Sequence, residues 1–210
     1  MAETTTVYIV DDDAMFARGL ARLVEAAGWN ARVFRGGDVF LAAVGADNQG
    51  CVLLDVRMPG MKGPELQRAM VERGIALPVV FLTGHGDVQT SVQAMKLGAV
   101  DFLEKPVGRE RLVAAITLAL ARGDREREDR RERNAMRERV AGLSRRELEV
   151  MSHVIAGRLN KQIAADLRIS LKTVKAHRAN VMRKTGAGSV PDLVAMCRLA
   201  GVAPHASTAA

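Results

Sequence analysis

Four polar elements stand where apolar runs end in this chain, and their types fit one task. Asp11-Asp12-Asp13 follows Val7-Tyr8-Ile9-Val10, Asp55 follows Val52-Leu53-Leu54, Thr83 follows Val79-Val80-Phe81-Leu82, and Lys105 comes just after Phe102-Leu103. An acidic cluster suits a hard divalent cation, which takes oxygen ligands and often shares them with phosphate. An ammonium and a hydroxyl can meet the remaining oxygens of a phosphoryl group. Asp55 is the carboxylate best placed to accept such a group. A single Asp after an apolar strand is ordinarily a solvated loop residue, but that account does not explain four such elements in order.

The elements that must position these groups follow from the pattern around them. Short apolar strands alternate with helical periodicity, as in a parallel sheet of βαβ units, whose ligands sit outside the carboxyl ends of the strands. Strands are expected at residues 7–10, about 31–34, 52–54, 79–82 and about 100–103. Asp13 suits the cap of a helix burying Phe16, Leu20, Leu23, Val24 and Ala27 and closed by Gly28. A second helix is expected at residues 37–44, and Pro64 suits the first turn of a third that ends near Gly74. Asp87 can cap a helix carrying Val88, Val92 and Met95, and after Lys105-Pro106 another holds Leu112, Ile116, Ala119 and Leu120.

The charge is unevenly spread. The chain has 210 residues, 48% of them hydrophobic, and a net charge of +7. Residues 1–121 hold 12 basic and 14 acidic side chains, residues 122–140 hold 8 and 6, and residues 141–210 hold 11 and 4. Only the rear carries the excess positive charge expected of a surface meeting a polyanion. The middle stretch is nearly all Arg, Glu and Asp and reads as a solvated helical spacer. A coiled coil is the sharper alternative, but apolar spacing lapses between Leu120 and Met136.

In the rear, Ser144 and Glu147 form a capping box opening a helix with Leu148, Met151, Val154 and Ile155 inward. Asn160 suits the cap of a short helix at residues 161–167, Ser170 that of a third reaching about Thr185, and Ser189 precedes a fourth with Pro191 in its first turn. The middle two form a helix-turn-helix, whose second helix can lie in a major groove. On that helix Val174, His177, Arg178 and Val181 share one side, while Lys172, Lys175, Ala176, Ala179 and Arg183 share another. Lys175 can donate to guanine N7 or O6, and Ala176 and Ala179 allow close approach to thymine methyls. Asn160, Lys161, Lys172, Thr173 and Lys184 would meet phosphates. By periodicity alone, an ordinary solvated basic face remains an alternative.

Over about 120 residues the segments VYIVDDD, LLDVRMPGMKG, VVFLTGHGDV and GAVDFLEKP resemble the receiver domain of bacterial two-component response regulators. Over about 65 more, LSRRELEVM, GRLNKQIAADLRIS and TVKAHRANVMRKTG resemble the LuxR-type helix-turn-helix, and the pairing is similar to the NarL/FixJ class, leaning to its FixJ branch. The resemblance implies a flavodoxin-like α/β receiver with a five-stranded parallel sheet in order 2-1-3-4-5, then an all-α four-helix DNA-binding domain. The expected organisation is a receiver at 1–121, a charged helical linker at 122–140, the helix-turn-helix domain at 141–203 and a tail at 204–210.

The resemblance also implies roles. Asp55 becomes the phosphoryl acceptor, and Asp11, Asp12, Asp55 and the Arg57 carbonyl the ligands of Mg2+ or another divalent cation. Thr83, Phe102 and Lys105 become the switch and phosphate-binding residues, and Lys105-Pro106 a cis bond. Lys175, Ala176 and Ala179 face bases. Val88, Val92, Met95 and Arg111 are candidates for a face used in phosphorylation-driven homodimerisation. The implied partners are a sensor histidine kinase, double-stranded DNA, a second copy and RNA polymerase.

Two other classes compete with this reading. A phosphoester hydrolase using Asp55 needs a positioned acid or base nearby, and Val56 and Arg57 offer none. The other is a receiver-linked adaptor whose rear helices bind a protein. Self-modification is expected, with at most slow autodephosphorylation, so the chain is not read as an enzyme. Cys51 and Cys197 read as core residues of a reducing compartment. No basic leader or long apolar run appears, so a cytoplasmic location is expected.

Overall fold

The strand Cys51–Asp55 is buried along its whole length, as a central parallel strand covered by helices on both faces must be. The computed structural model describes residues 5–84 and 98–202. The chain divides into two compact units, Met1–Glu126 and Arg127–Ala210.

In the first unit β1 (Thr6–Val10), β2 (Asn30–Phe34), β3 (Cys51–Asp55), β4 (Val79–Thr83) and β5 (Asp101–Glu104) pair in parallel in the order β2-β1-β3-β4-β5. Helices α1 (Ala14–Ala26), α2 (Gly37–Ala43) and α3 (Gly63–Glu72) lie between them. Side chains alternate across the sheet with a period of two, and this splits the core into two layers. Tyr8, Val10, Val52, Leu54 and Phe81 face one way and pack with Phe40, Leu66 and Met70. Val7, Ile9, Leu53, Val80 and Leu82 face the other way and meet Ala17, Leu20 and Val24 of α1 and Leu112, Ile116 and Ala119. Each fully buried large aliphatic side chain contributes about 1.5–3 kcal/mol of transfer free energy. Strand order reverses between β1 and β3, so the crevice beyond their carboxyl ends opens at Asp11 and Asp55.

The last strand is followed by α4 (Arg109–Ala141), one helix that takes in the charged stretch. Four more follow: α5 (Arg145–Ile155), α6 (Asn160–Asp166), α7 (Leu171–Thr185) and α8 (Val190–Ala200). Their shared core includes Val150, Met151, Val154, Ile163, Val174, Val181, Leu193 and Cys197. Met136 and Val140, left in the linker by the sequence reading, are buried in this same core. They stand four apart, on one face of α4, and so form an apolar stripe too short to register against the charged run before it. Both cysteines are buried and free, and burial pushes the Cys51 thiol up to about 12.

Two local expectations need correction. Leu148 is 36% exposed, whereas Met151 and Val154 are buried as expected and Glu147 and Val150 join them, so the inward face of α5 opens at Glu147 and not at Leu148. Glu147 Oε2 accepts there from the Ser144 N–H and from Lys184 Nζ. Asn160 does not cap α6; Leu159 holds that position, its N–H donating to Gln162 Oε1 at 2.8 Å, and Asn160 opens the helix. The Lys105-Pro106 bond is cis. The helix expected after Asp87, with Val88, Val92 and Met95, and the tail at 204–210 lie outside the described residues.

Candidate functional site

Asp11 directly follows β1 with no solvent exposure, tied into the sheet by its N–H, which donates to the Phe34 carbonyl at 3.1 Å. Its Oδ1 accepts from Asp13 N–H at 2.9 Å, and its Oδ2 from Lys105 Nζ at 2.6 Å. Asp13 is occupied as the cap of α1: its Oδ1 accepts from Met15 and Phe16 N–H at 2.9 and 3.1 Å. These two bonds, that from Phe16 foremost, hold its carboxyl below the usual range. Asp12 is exposed beside them.

Asp55 is 7% exposed at the end of β3. Burial pushes its carboxyl up; Lys105 opposes that shift, Asp11 adds to it, and the Arg57 N–H, which hydrogen-bonds the carboxylate, opposes it again. Lys105 Nζ lies 3.4 Å from Asp55 Oδ2 and 4.4 Å from the centre of the Phe16 ring. Oxygens of Asp11, Asp12 and Asp55 all lie within 4.8 Å of one another. Three carboxylates against one ammonium leave an excess of negative charge, and an oxygen-only donor set fits a hard divalent cation.

Thr83 ends β4, and its carbonyl accepts from Lys105 N–H at 2.8 Å, so the last two polar residues are pinned at adjacent strand ends. Phe102 stacks on Phe81 with ring centres 5.1 Å apart, and its strand is in register with β4. Gly63 lets the loop after Asp55 fold back. A Cβ there would stand 2.4 Å from the Asp55 carbonyl oxygen and 2.9 Å from the Phe81 ring. The sequence reading missed Gly63 and the place of Phe16 beneath Lys105; the only hint was the Lys-Gly-Pro run so soon after Asp55. Arg111, assigned to a dimer face, is an exposed residue 4.0 Å from Asp101.

In the second unit, Ser170 caps α7 by accepting from Thr173 N–H at 3.0 Å, and the two hydroxyls share a hydrogen bond of 2.7 Å. Lys172, Lys175, Ala176, Ala179 and Arg183 are exposed together, while Val174, Val181 and Thr185 are buried and His177 is half-buried. Lys161 on α6 is also exposed. Two of the expected phosphate contacts also make bonds within the unit. Lys184 Nζ donates to Glu147 Oε2 at 2.7 Å, and Asn160 Oδ1 accepts from Arg178 Nη1 at 2.6 Å. Lys184 and the Ser144 N–H hold the Glu147 carboxyl at about 2.

An acidic, lysine-bearing crevice on a doubly wound sheet, followed by a helix-turn-helix with an open basic stripe, defines a signalling protein with a DNA-binding output. A family model of the response regulator receiver domain matches residues 7–117, and one of bacterial regulatory proteins of the luxR family matches residues 130–197. The chain is 44% identical over 204 residues to the transcriptional regulatory protein FixJ of Azorhizobium caulinodans, covering 97% of both. Among solved structures it resembles response regulator StyR (TM-score 0.81, 38% identity, 93% of this chain and 99% of that one). It also resembles full-length FixJ from B. japonicum (TM-score 0.59, 42% identity, 95% and 98%). The chain therefore belongs to the two-component response regulators that join a receiver domain to a LuxR-type DNA-binding domain, and its function is DNA-binding regulation of transcription. That pair of domains implies a kinase and DNA as partners. Among the described residues no helix is long and apolar enough to cross a membrane.

Proposed function

We propose that Asp55 accepts a phosphoryl group from a phosphohistidine of a sensor kinase, and that this modification controls DNA binding by the rear unit. The supporting observation is the Asp55 carboxylate, nearly buried at a strand end, with Lys105 Nζ 3.4 Å away and Asp11 beside it. An Asp55 oxygen attacks phosphorus, the P–O bond forms, and the P–N bond breaks with its electron pair on the imidazole, which takes a proton from solvent. Lys105 then meets a phosphoryl oxygen and compensates part of the added charge of about two. Asp11, Asp12, Asp55 and the Arg57 carbonyl would hold Mg2+ or another divalent cation, which supplies charge neutralisation at the remaining oxygens.

The Thr83 hydroxyl and the Phe102 ring respond to the new group and bias a two-state surface toward homodimerisation. Arg111 belongs to that face, with Val88, Val92 and Met95, which lie outside the described residues. The receiver comprises residues 1–121, and the DNA-binding unit residues 141–203 together with the turns of Met136 and Val140. Lys175, Ala176 and Ala179 read bases, and Lys161, Lys172 and Thr173 meet phosphates. Asn160, whose Oδ1 accepts from Arg178 while its amide N–H groups can still donate, and Lys184, whose ammonium also bonds Glu147, complete the phosphate contacts. The protein works in the cytoplasm, contacts RNA polymerase at promoters, and acts on no external substrate beyond slow loss of its own phosphoryl group. Asp55→Asn tests the core of the reading. Incubated with acetyl phosphate and magnesium, the native chain should gain one phosphoryl group and the variant none; equal labelling of both would remove Asp55 from the role.

A further inference from the structure

The last two turns of α4 do more than connect. Helix C-termini leave carbonyls without partners inside the helix, and cations placed there are favoured by the helix dipole. In the second unit three guanidiniums take up such carbonyls. Arg146 Nη2 donates to Leu167 O after α6 at 2.9 Å, Arg139 Nη1 to Thr185 O ending α7 at 3.2 Å, and Arg137 Nε to Ala200 O ending α8 at 3.3 Å.

The hold on α7 is reinforced. Gly186 follows Thr185 in the left-handed region, with φ of 76°, and a Cβ there would stand 3.3 Å from Arg139 Nη1. A side chain there would crowd the guanidinium by a few tenths of an ångström. In return α7 grips the corner between α4 and α5, since Lys184 Nζ donates to Gly142 O at 3.5 Å and to Glu147 Oε2 at 2.7 Å. Met136 and Val140, on the same stretch of α4, are buried in one core with Val174 and Val181 of α7.

We infer that Arg139 is a positioning residue for the DNA-reading helix: from α4 it holds the carboxyl end of α7 and so sets how Lys175, Ala176 and Ala179 enter the groove. The inference rests on the proposed reading that α7 lies in the groove. Arg139 and Thr185 both belong to the second unit, so the hold is internal to it. Arg137 makes the equivalent bond to α8, which carries none of the proposed base contacts, and so serves as a matched control.

The experiment uses the full chain. A preferred duplex is first recovered by selection from random sequences with the native protein. Arg139→Met, Arg139→Lys and Arg137→Met are then compared for affinity toward that duplex and a scrambled one, alongside thermal unfolding. Arg139→Met should weaken binding to the preferred duplex by about three- to tenfold. Affinity for the scrambled duplex and the slope of affinity against salt should stay native, and Arg139→Lys should fall between. Arg137→Met should unfold at a similarly lowered temperature yet keep native discrimination. Equal loss of discrimination in Arg139→Met and Arg137→Met, or none in either Arg139 variant, would overturn the inference. If Arg139→Met fails to fold, Arg139→Lys decides alone. A native chain that selects no duplex, or a Lys175→Ala variant that discriminates as the native does, would count against the groove placement of α7.

Discussion

Lys105 Nζ stands 3.4 Å from Asp55 Oδ2, close enough for attraction yet longer than its 2.6 Å bond to Asp11. The ammonium is thus anchored on one carboxylate and within electrostatic reach of the other.

Lys105→Met should alter the pH profile of labelling. Burial raises the Asp55 carboxyl and Lys105 opposes the rise, so removing the ammonium raises it further. Only the ionised carboxylate attacks phosphorus. The acid limb of acetyl phosphate labelling should therefore move to higher pH in the variant, while an unmoved limb would show that Lys105 does not bear on Asp55 in solution.

Gly63→Ala should destabilise the first unit by about 1–3 kcal/mol, as overpacking at a closed site does. The added methyl would stand 2.4 Å from the Asp55 carbonyl oxygen, and backbone must move to admit it. Urea unfolding followed by circular dichroism measures the loss, and slower labelling of Asp55 should accompany it. A native midpoint would mean that the loop after β3 yields freely.

Acid should loosen the second unit through Glu147. Its carboxyl is held at about 2 against an ordinary 4.5, chiefly by Lys184 and then by the Ser144 N–H. In that window the unfolded chain binds more protons than the native one, so the stability from this group is complete above about pH 4.5 and is lost as pH falls through 2. Glu147→Gln should lower the melting temperature at neutral pH and flatten the acid limb. A native acid limb in the variant would assign the acid sensitivity to other groups.

Lys175→Ala and Lys172→Ala should fail differently. The first should cost about 1–3 kcal/mol on the preferred duplex and blunt base preference. The second should weaken all duplexes alike and reduce the salt slope by about one. Titrations on preferred and scrambled duplexes at several salt concentrations separate the two, and identical profiles would dissolve the division between reading and positioning contacts.

Much of this molecule was legible residue by residue. Asp13, Ser144, Ser170 and Ser189 cap the helices they precede because a capping bond spans only two or three residues and so belongs to local sequence. The convergence of Asp11, Asp55 and Lys105 was equally open, because parallel strands bring all their carboxyl ends to one edge.

What the linear pattern could not decide is which distant partner each long polar side chain takes. Asn160 and Lys184 look like free donors and acceptors on a basic surface, but helix packing gives one to Arg178 and the other to Glu147. Met136 and Val140 look like gaps in a charged spacer until α5 to α8 close around them. Sequence by itself determined most of the elements, the caps at Asp13, Ser144, Ser170 and Ser189 and the edge where the chemistry gathers, since those follow from neighbours along the chain. Tertiary structure alone decided the pairings of Glu147 with Lys184, Arg139 with Thr185 and Arg178 with Asn160, because a flexible charged side chain settles only once packing has fixed which groups lie within its reach.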